Sequence, residues 1–240
     1  MNMIRKKLFK ERHSVFHLRG KEIQRIETFS DAIFAFSISL LIMSLEVPQT
    51  FEELEIIVHN FLPFVATVLL VALFWREQNR YFRHYGLGDA LVVWLNILLL
   101  VVILFYVYPL KFLFSLLLSM FTHANYFPKA GDAVIIQIQD FPSLILIYSV
   151  GYAVIWFLFF LLYEIAWYRR VQLRLNRFES AVTKKELRGA FLNSCIGVCA
   201  MIFAGLQAPV PAGICFLMIP LVLWFVDWRM KHELKISESD

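Results

Sequence analysis

Three ionisable residues open an apolar run. Arg25, Glu27 and Asp31 lie within R-I-E-T-F-S-D-A-I-F-A-F-S-I-S-L-L-I-M. A charge at membrane depth costs about 2.5–3.5 kcal/mol on insertion scales, so such groups normally face protein or water. Asp31 is therefore expected to point into a helix bundle and accept hydrogen bonds. Arg25 and Asp31 are six residues apart, the wrong spacing for a direct helical pair. Their partners are expected on other helices, the alternative being an interfacial cap with snorkelling side chains.

Other chemistry has few candidates. The histidines (His13, His17, His59, His84, His123 and His232) are scattered, with no His-x-x-x-His pair. Gly-x-Ser-x-Gly and paired intramembrane carboxylates are also missing, so no catalytic site, metal site or cofactor is expected. Cys195, Cys199 and Cys215 lie in apolar runs. Their odd number and spacing argue against a disulfide framework and for buried apolar thiols.

The elements that hold these residues follow from composition. The chain has 240 residues, 60% hydrophobic and only 18% charged, with mean hydropathy +0.65. Soluble domains average about 45–50% apolar and about 25% charged. An ordinary cytosolic enzyme, a disordered tail and a disulfide-stapled secreted domain are excluded. The fold class expected is an all-α integral membrane protein. A span needs about 20 mostly apolar residues. Six candidates are read at 26–47, 56–75, 90–110 with an extension over 112–121, 144–167, 190–206 and 212–226. The last two are joined by Gln207-Ala208-Pro209-Val210-Pro211, a tight turn suited to a hairpin. The first apolar run starts late and lacks a cleavage-like end, so it is not read as a signal peptide.

Charge orients the spans. All but two of the 23 basic residues fall in the N-terminal arm, the second-to-third and fourth-to-fifth connections and the C-terminal tail. Only Lys111 and Lys129 fall on the other side. Six spans with both termini cytoplasmic obey the positive-inside rule. The division expected is a basic arm over 1–24, a transmembrane domain over 25–228 and a tail over 229–240. The basic charge is assigned to membrane orientation, with no nucleic acid or protein partner expected. The basic segment 168–188 is either an amphipathic stretch on anionic lipid or an orientation signal. The first outer loop carries Glu46, Glu52, Glu53 and Glu55, either a cation-attracting vestibule or a solvated helix start.

The first helix carries two stripes. Phe29, Phe36 and Met43 recur every seven residues, with Leu40 on the face of Phe36. Ser30, Ser37 and Ser44 recur on the neighbouring face, and small residues let helices approach closely in lipid. The serine stripe is thus a packing seam. The large apolar stripe is free to face lipid, core or pore.

Arg25, Phe29, Ser30 and Asp31, followed by Leu45-Glu46-Val47-Pro48, resemble the opening motif of the transmembrane protein 175 potassium channels. Phe74-Trp75 with Arg80, Trp94-Leu95-Asn96, Pro109 and Tyr148 are weaker similarities along the chain. The resemblance thins after about residue 170. It implies six helices per subunit, assembly as a homotetramer in the bilayer, and K⁺ as the permeant ion. It also implies that Arg25, Phe29, Ser30, Asp31, Trp75 and Asn96 serve helix packing and hydrogen bonding. Four first helices would line the pore, which narrows at apolar side chains corresponding to Phe36, Leu40 and Met43. Ser39 matches a position that presents a hydroxyl in some relatives. Two departures stand out. Gln78 and Asn79 occupy the region where relatives usually carry histidine, and Phe36 stands where they usually carry isoleucine or leucine.

The chain lacks a Thr-Val-Gly-Tyr-Gly loop, so any selectivity must come from another device. A narrow apolar ring forces an ion to shed water, which K⁺ does more easily than Na⁺, and it can gate by dewetting. The function expected is a potassium-preferring channel in the plasma membrane. Two other readings stay open. One is a non-conducting scaffold, since four phenyl rings occupy more of an axis than four leucines. The other is a secondary transporter, which would use midplane polar groups such as Asn96 and Glu164.

Overall fold

A computed structural model describes residues 16–43, 48–122, 126–127 and 136–239. The regular elements among them are helical: α1 (Arg25–Met43), α2 (Phe51–His59), α3 (Phe61–Tyr85), α4 (Ala90–Thr122), a 3₁₀ turn (Ile138–Asp140), α5 (Phe141–Tyr168), α6 (Arg177–Gly205), α7 (Pro209–Leu217) and α8 (Ile219–Ser239). Among the described residues, five stretches are long and apolar enough to cross a bilayer: Ile57–Tyr85, Ala90–Ser119, Phe141–Tyr168, Arg177–Gly205 and Pro209–His232. They correspond to the second to sixth expected spans. The first expected span, α1, is a helix of 19 described residues that spends three of its first seven on charge.

Two boundaries differ from the sequence expectation, each for a local reason. α3 runs on to Tyr85, so Arg76, Arg80 and Arg83 belong to its last turns and not to a loop. Gly86 ends it in the left-handed conformation (φ 61°), which glycine adopts without steric cost. α6 starts at Arg177, thirteen residues before the expected span. Asn176 and Glu179 form a reciprocal capping box there, which satisfies two orphan backbone donors. The second half of the basic segment 168–188 is thus helix continuous with a span, not a separate surface helix.

α1 packs on α3 and α4, α5 on α4 and α6, and α7 with α8 on α6. The main core gathers Phe34, Leu41, Phe74, Tyr81, Phe82, Leu99, Ile103 and Phe159 from the first four of these partners. A smaller core joins Ile196, Ala200 and Cys215. α5 and α6 share the most extensive contact. A Cβ built on Gly197 would meet Ala153 backbone at 2.8 Å, so only glycine lets the two helices approach this far. α4 is a single 33-residue helix through Pro109. It spans about 50 Å at 1.5 Å per residue, more than the bilayer core. The Pro109 carbonyl accepts a hydrogen bond from Tyr148 of α5 at 2.5 Å. All three cysteines are free, but only Cys215 is buried; Cys195 is half-buried and Cys199 exposed.

Candidate functional site

α1 divides into two faces. Glu27, Ser30, Phe34, Ser37 and Leu41 are buried against the rest of the subunit. Their spacing is that of one helical stripe. Ser30 and Ser37 donate to the carbonyls of Ile26 and Ile33 at 2.7 and 2.8 Å. With their hydroxyls satisfied locally, these small side chains serve as the seam expected of them.

The seam is locked by a buried amide chain. Asn96 of α4 donates through Nδ2 to Ser30 Oγ at 2.9 Å. Gln78 of α3 donates through Nε2 to Asn96 Oδ1 at 3.0 Å. The three side chains are at most 1% exposed, so each unmet hydrogen bond here would be costly. Gln78, one of the residues at the histidine departure, is the group that closes the chain.

The opposite face of α1 is open in the subunit. It carries Phe29, Asp31, Ala32, Ala35, Phe36, Ser39 and Ile42. Phe36 is 54% exposed and Phe29 50%. Leu40 sits at the border, half-buried, and its carbonyl accepts from Tyr108 at 3.3 Å. The exposed Ser39 hydroxyl is turned back to the Ala35 carbonyl at 3.1 Å. Met43 ends the helix, and its side chain lies outside the described residues, as do Ser44, Leu45, Glu46 and Val47.

The charged residues of α1 behave differently from one another. Asp31 accepts from Trp75 Nε1 of α3 at 2.7 Å. Its partner is on another helix, as expected, but Asp31 is exposed and does not point into the bundle. The reason is angular: position 31 falls off the stripe that runs through Ser30 and Phe34. Arg25 is exposed, with no ion-pair partner among the described residues. Glu27 is buried and accepts from the backbone N–H of Gln24 at 2.9 Å, closing the helix start.

A buried ion pair was not visible in the sequence. Glu179, fully buried, takes both guanidinium arms of Arg19 at 3.2 and 2.8 Å. It also accepts from the backbone N–H groups of His17 and Asn176, at 2.8 and 2.9 Å. Arg19 Nε donates to the Leu173 carbonyl at 2.8 Å. Residues 16–24, the described part of the N-terminal arm, are therefore fastened under α3 and α6. The Asn-x-x-Glu capping spacing was the available signal for the α6 end. Nothing local marks Arg19, 160 residues away. Between α4 and α5, Arg169 grips Asp89 with two bonds at 2.5 and 3.0 Å. That hydrogen bonding holds the Asp89 carboxyl below the ordinary 3.8.

Asn96 is the seventh residue of α4, and Glu164 lies four residues from the end of α5. Neither polar group sits mid-helix, where a carrier site would need it. The subunit alone offers an anchored helix with one open, mostly apolar face.

The profile of the family described as "Endosomal/lysosomal potassium channel TMEM175" matches residues 25–106. A protein of Marivirga tractuosa described as "Potassium channel" is 32% identical over 239 residues, covering 93% of this chain and 94% of its own. The crystal structure of a variant of the potassium channel MtTMEM175, in complex with a nanobody–MBP fusion, superposes with TM-score 0.78 at 32% identity. That match covers 90% of this chain and 97% of the other. A TMEM175 homologue from Chamaesiphon minutus shares the fold at TM-score 0.51 and 21% identity, over 84% and 96% of the two chains. With a relative this similar along nearly its whole length, and the matched profile falling on α1, α3 and α4, the chain belongs to the TMEM175 family.

Proposed function

We propose that this multi-pass membrane protein is a potassium-conducting channel, and that four copies place the open faces of α1 around a common axis. One observation carries the reading. The inward face of α1 is fixed by Ser30, Asn96 and Gln78, while Phe36 projects from the opposite face at 54% exposure. A helix held this firmly and bare on its far side needs something to face, and a pore axis between subunits supplies it. The names of the relatives, potassium channels, support the same reading.

In this reading α1 joins the five stretches as the first of six spans, and both termini are cytoplasmic. Phe36 forms the narrowest ring, Leu40 and Met43 continue it, and Ser39 borders it with its hydroxyl. Ions pass by shedding water at an apolar ring, a step less costly for K⁺ than for Na⁺, and the ring gates by dewetting. No cofactor takes part, and the membrane is the plasma membrane. The size of phenylalanine favours one further reading, a non-conducting assembly of the same fold.

The test is cation flux into liposomes that hold purified protein of measured stoichiometry. Phe36→Ala is expected to raise K⁺ flux several-fold, because it removes four rings from one level. A tetramer in which both wild type and Phe36→Ala are silent favours the non-conducting assembly. A monomer in lipid ends the channel reading.

A further inference from the structure

The last turns of α3 line an open depression of about 370 Å³. Arg76, Asn79, Arg80 and Arg83 form its basic wall, spaced i, i+3, i+4 and i+7 on one helix face. Trp75, Leu18 and His84 complete the lining, and no carboxylate among the described residues lines it. Three like charges one turn apart repel each other. The middle one is compensated from behind: Arg80 pairs with Glu77, and with Glu186 of α6 at 2.8 Å. Arg76 reaches Glu77 only at 3.6 Å, with its side chain 68% exposed. Arg83 is exposed, with no ion-pair partner among the described residues.

The dipole at the helix end accounts for part of this charge but not for Arg76. Its influence is confined to the last turn. Arg76 precedes the end of α3 by nine residues, about 13 Å. The long-paired, exposed Arg76 fork and the exposed Arg83 fork flank an amide, beside an indole and at the end of a membrane-crossing stretch. Arginine forks match the tetrahedral oxygens of phosphate, and lipid headgroups flank the hydrocarbon core at the ends of spanning helices. We propose that this depression binds a phosphate group, held by Arg76 and Arg83, carried by an anionic lipid headgroup or by a free phosphate anion. Trp75 forms one wall and donates to Asp31 of α1, so an occupant touches the residue that anchors that helix. The binding itself does not depend on conduction.

The test uses the purified full chain in detergent micelles and reads thermal unfolding against added ligand. Dioctanoyl phosphatidic acid, dioctanoyl phosphatidylcholine and sodium phosphate at matched ionic strength are the three probes. Phosphatidic acid is expected to raise the midpoint saturably, and phosphatidylcholine to leave it unchanged. A shift with phosphatidic acid alone assigns a headgroup, and an equal shift with inorganic phosphate assigns a free anion. The double variant Arg76→Gln/Arg83→Gln is expected to weaken binding about tenfold or more. Arg76→Lys/Arg83→Lys keeps the charge without the forks and should recover part of the affinity, which also guards against a misfolded double variant. Arg170→Gln, at another basic site, should bind as wild type does. The proposal is overturned if neither phosphate probe shifts the midpoint, if phosphatidylcholine acts equally, or if Arg170→Gln costs as much as the double variant.

Discussion

Asn96 uses both ends of its amide, donating to Ser30 and accepting from Gln78. Asn96→Leu strands the Gln78 donor in a dry interior. It is expected to lower stability by about 1–3 kcal/mol, read as a fall in the unfolding midpoint in detergent. Gln78→Leu added to it should cost much less than the sum of the two single changes, since the second removes the stranded group. An additive result would show that the amides do not act as a chain. The two ion pairs rank by burial. Glu179→Gln leaves the half-buried Arg19 unneutralised and is expected to cost about 1–3 kcal/mol. Asp89→Asn breaks a pair whose side chains are 28% and 36% exposed and should cost under about 1 kcal/mol. The pair also sets a pH dependence. Because the folded state holds the Asp89 carboxyl below 3.8, its contribution is complete above the unfolded value. It is lost as pH falls through the depressed one. Wild type and Asp89→Asn should therefore converge in stability below pH 3.8, and a constant gap between them would exclude the pair as the cause.

At the scale of elements, helix ends and close approaches decide the boundaries. The box at Asn176 starts α6 well before its apolar part, so Asn176→Ala is expected to cost about 1 kcal/mol. The loss should appear as faster hydrogen exchange in the first turns of α6, with α5 unchanged. Gly197 sets the α5–α6 distance. Gly197→Val overpacks that contact by pushing on Ala153 backbone and should destabilise by about 1–3 kcal/mol. Gly205 has open space where its Cβ would be, so Gly205→Ala should be tolerated. Equal effects at both glycines would contradict the account of the packing.

At the scale of the whole molecule, apolar surface remains after the subunit has folded. α4 exposes Leu91, Trp94, Leu98, Val101 and Phe105 along one stripe, and α1 exposes Phe29 and Phe36. A lone subunit covers neither, and lipid or a second copy must do so. The two faces differ in kind. The α4 stripe is uniformly large and apolar, which suits acyl chains. The open face of α1 mixes Phe36 with Ala32, Ala35 and Ser39, which suits close packing about an axis. Cross-linking through a cysteine at position 32 or 35 should trap oligomers in membranes, and one at position 98 should not. Cross-linking only at 98 would move the assembly interface away from α1.

Five of the spanning stretches were legible because about 20 apolar residues in a row have few other fates. The serine stripe was legible because helical period and side-chain size act locally. Of the motif residues, Ser30, Asp31, Trp75 and Asn96 hydrogen-bond between helices while Arg25 and Phe29 are exposed, and what each one touches was not legible. Ser30 and Asp31 are adjacent in the chain. One meets a buried amide, and the other faces outward to an indole, because a helix turns about 100° per residue. Gln78 and Asn96 could not be paired in advance, since two amides on separate helices meet only once the crossing of α3 and α4 is set. Arg19 and Glu179 carry the same lesson over a longer separation. The amino-acid order determined which segments leave water, because hydrophobic transfer depends on local composition. Tertiary packing alone decided which partner each inward face met, because that depends on the shapes of neighbours distant in the chain.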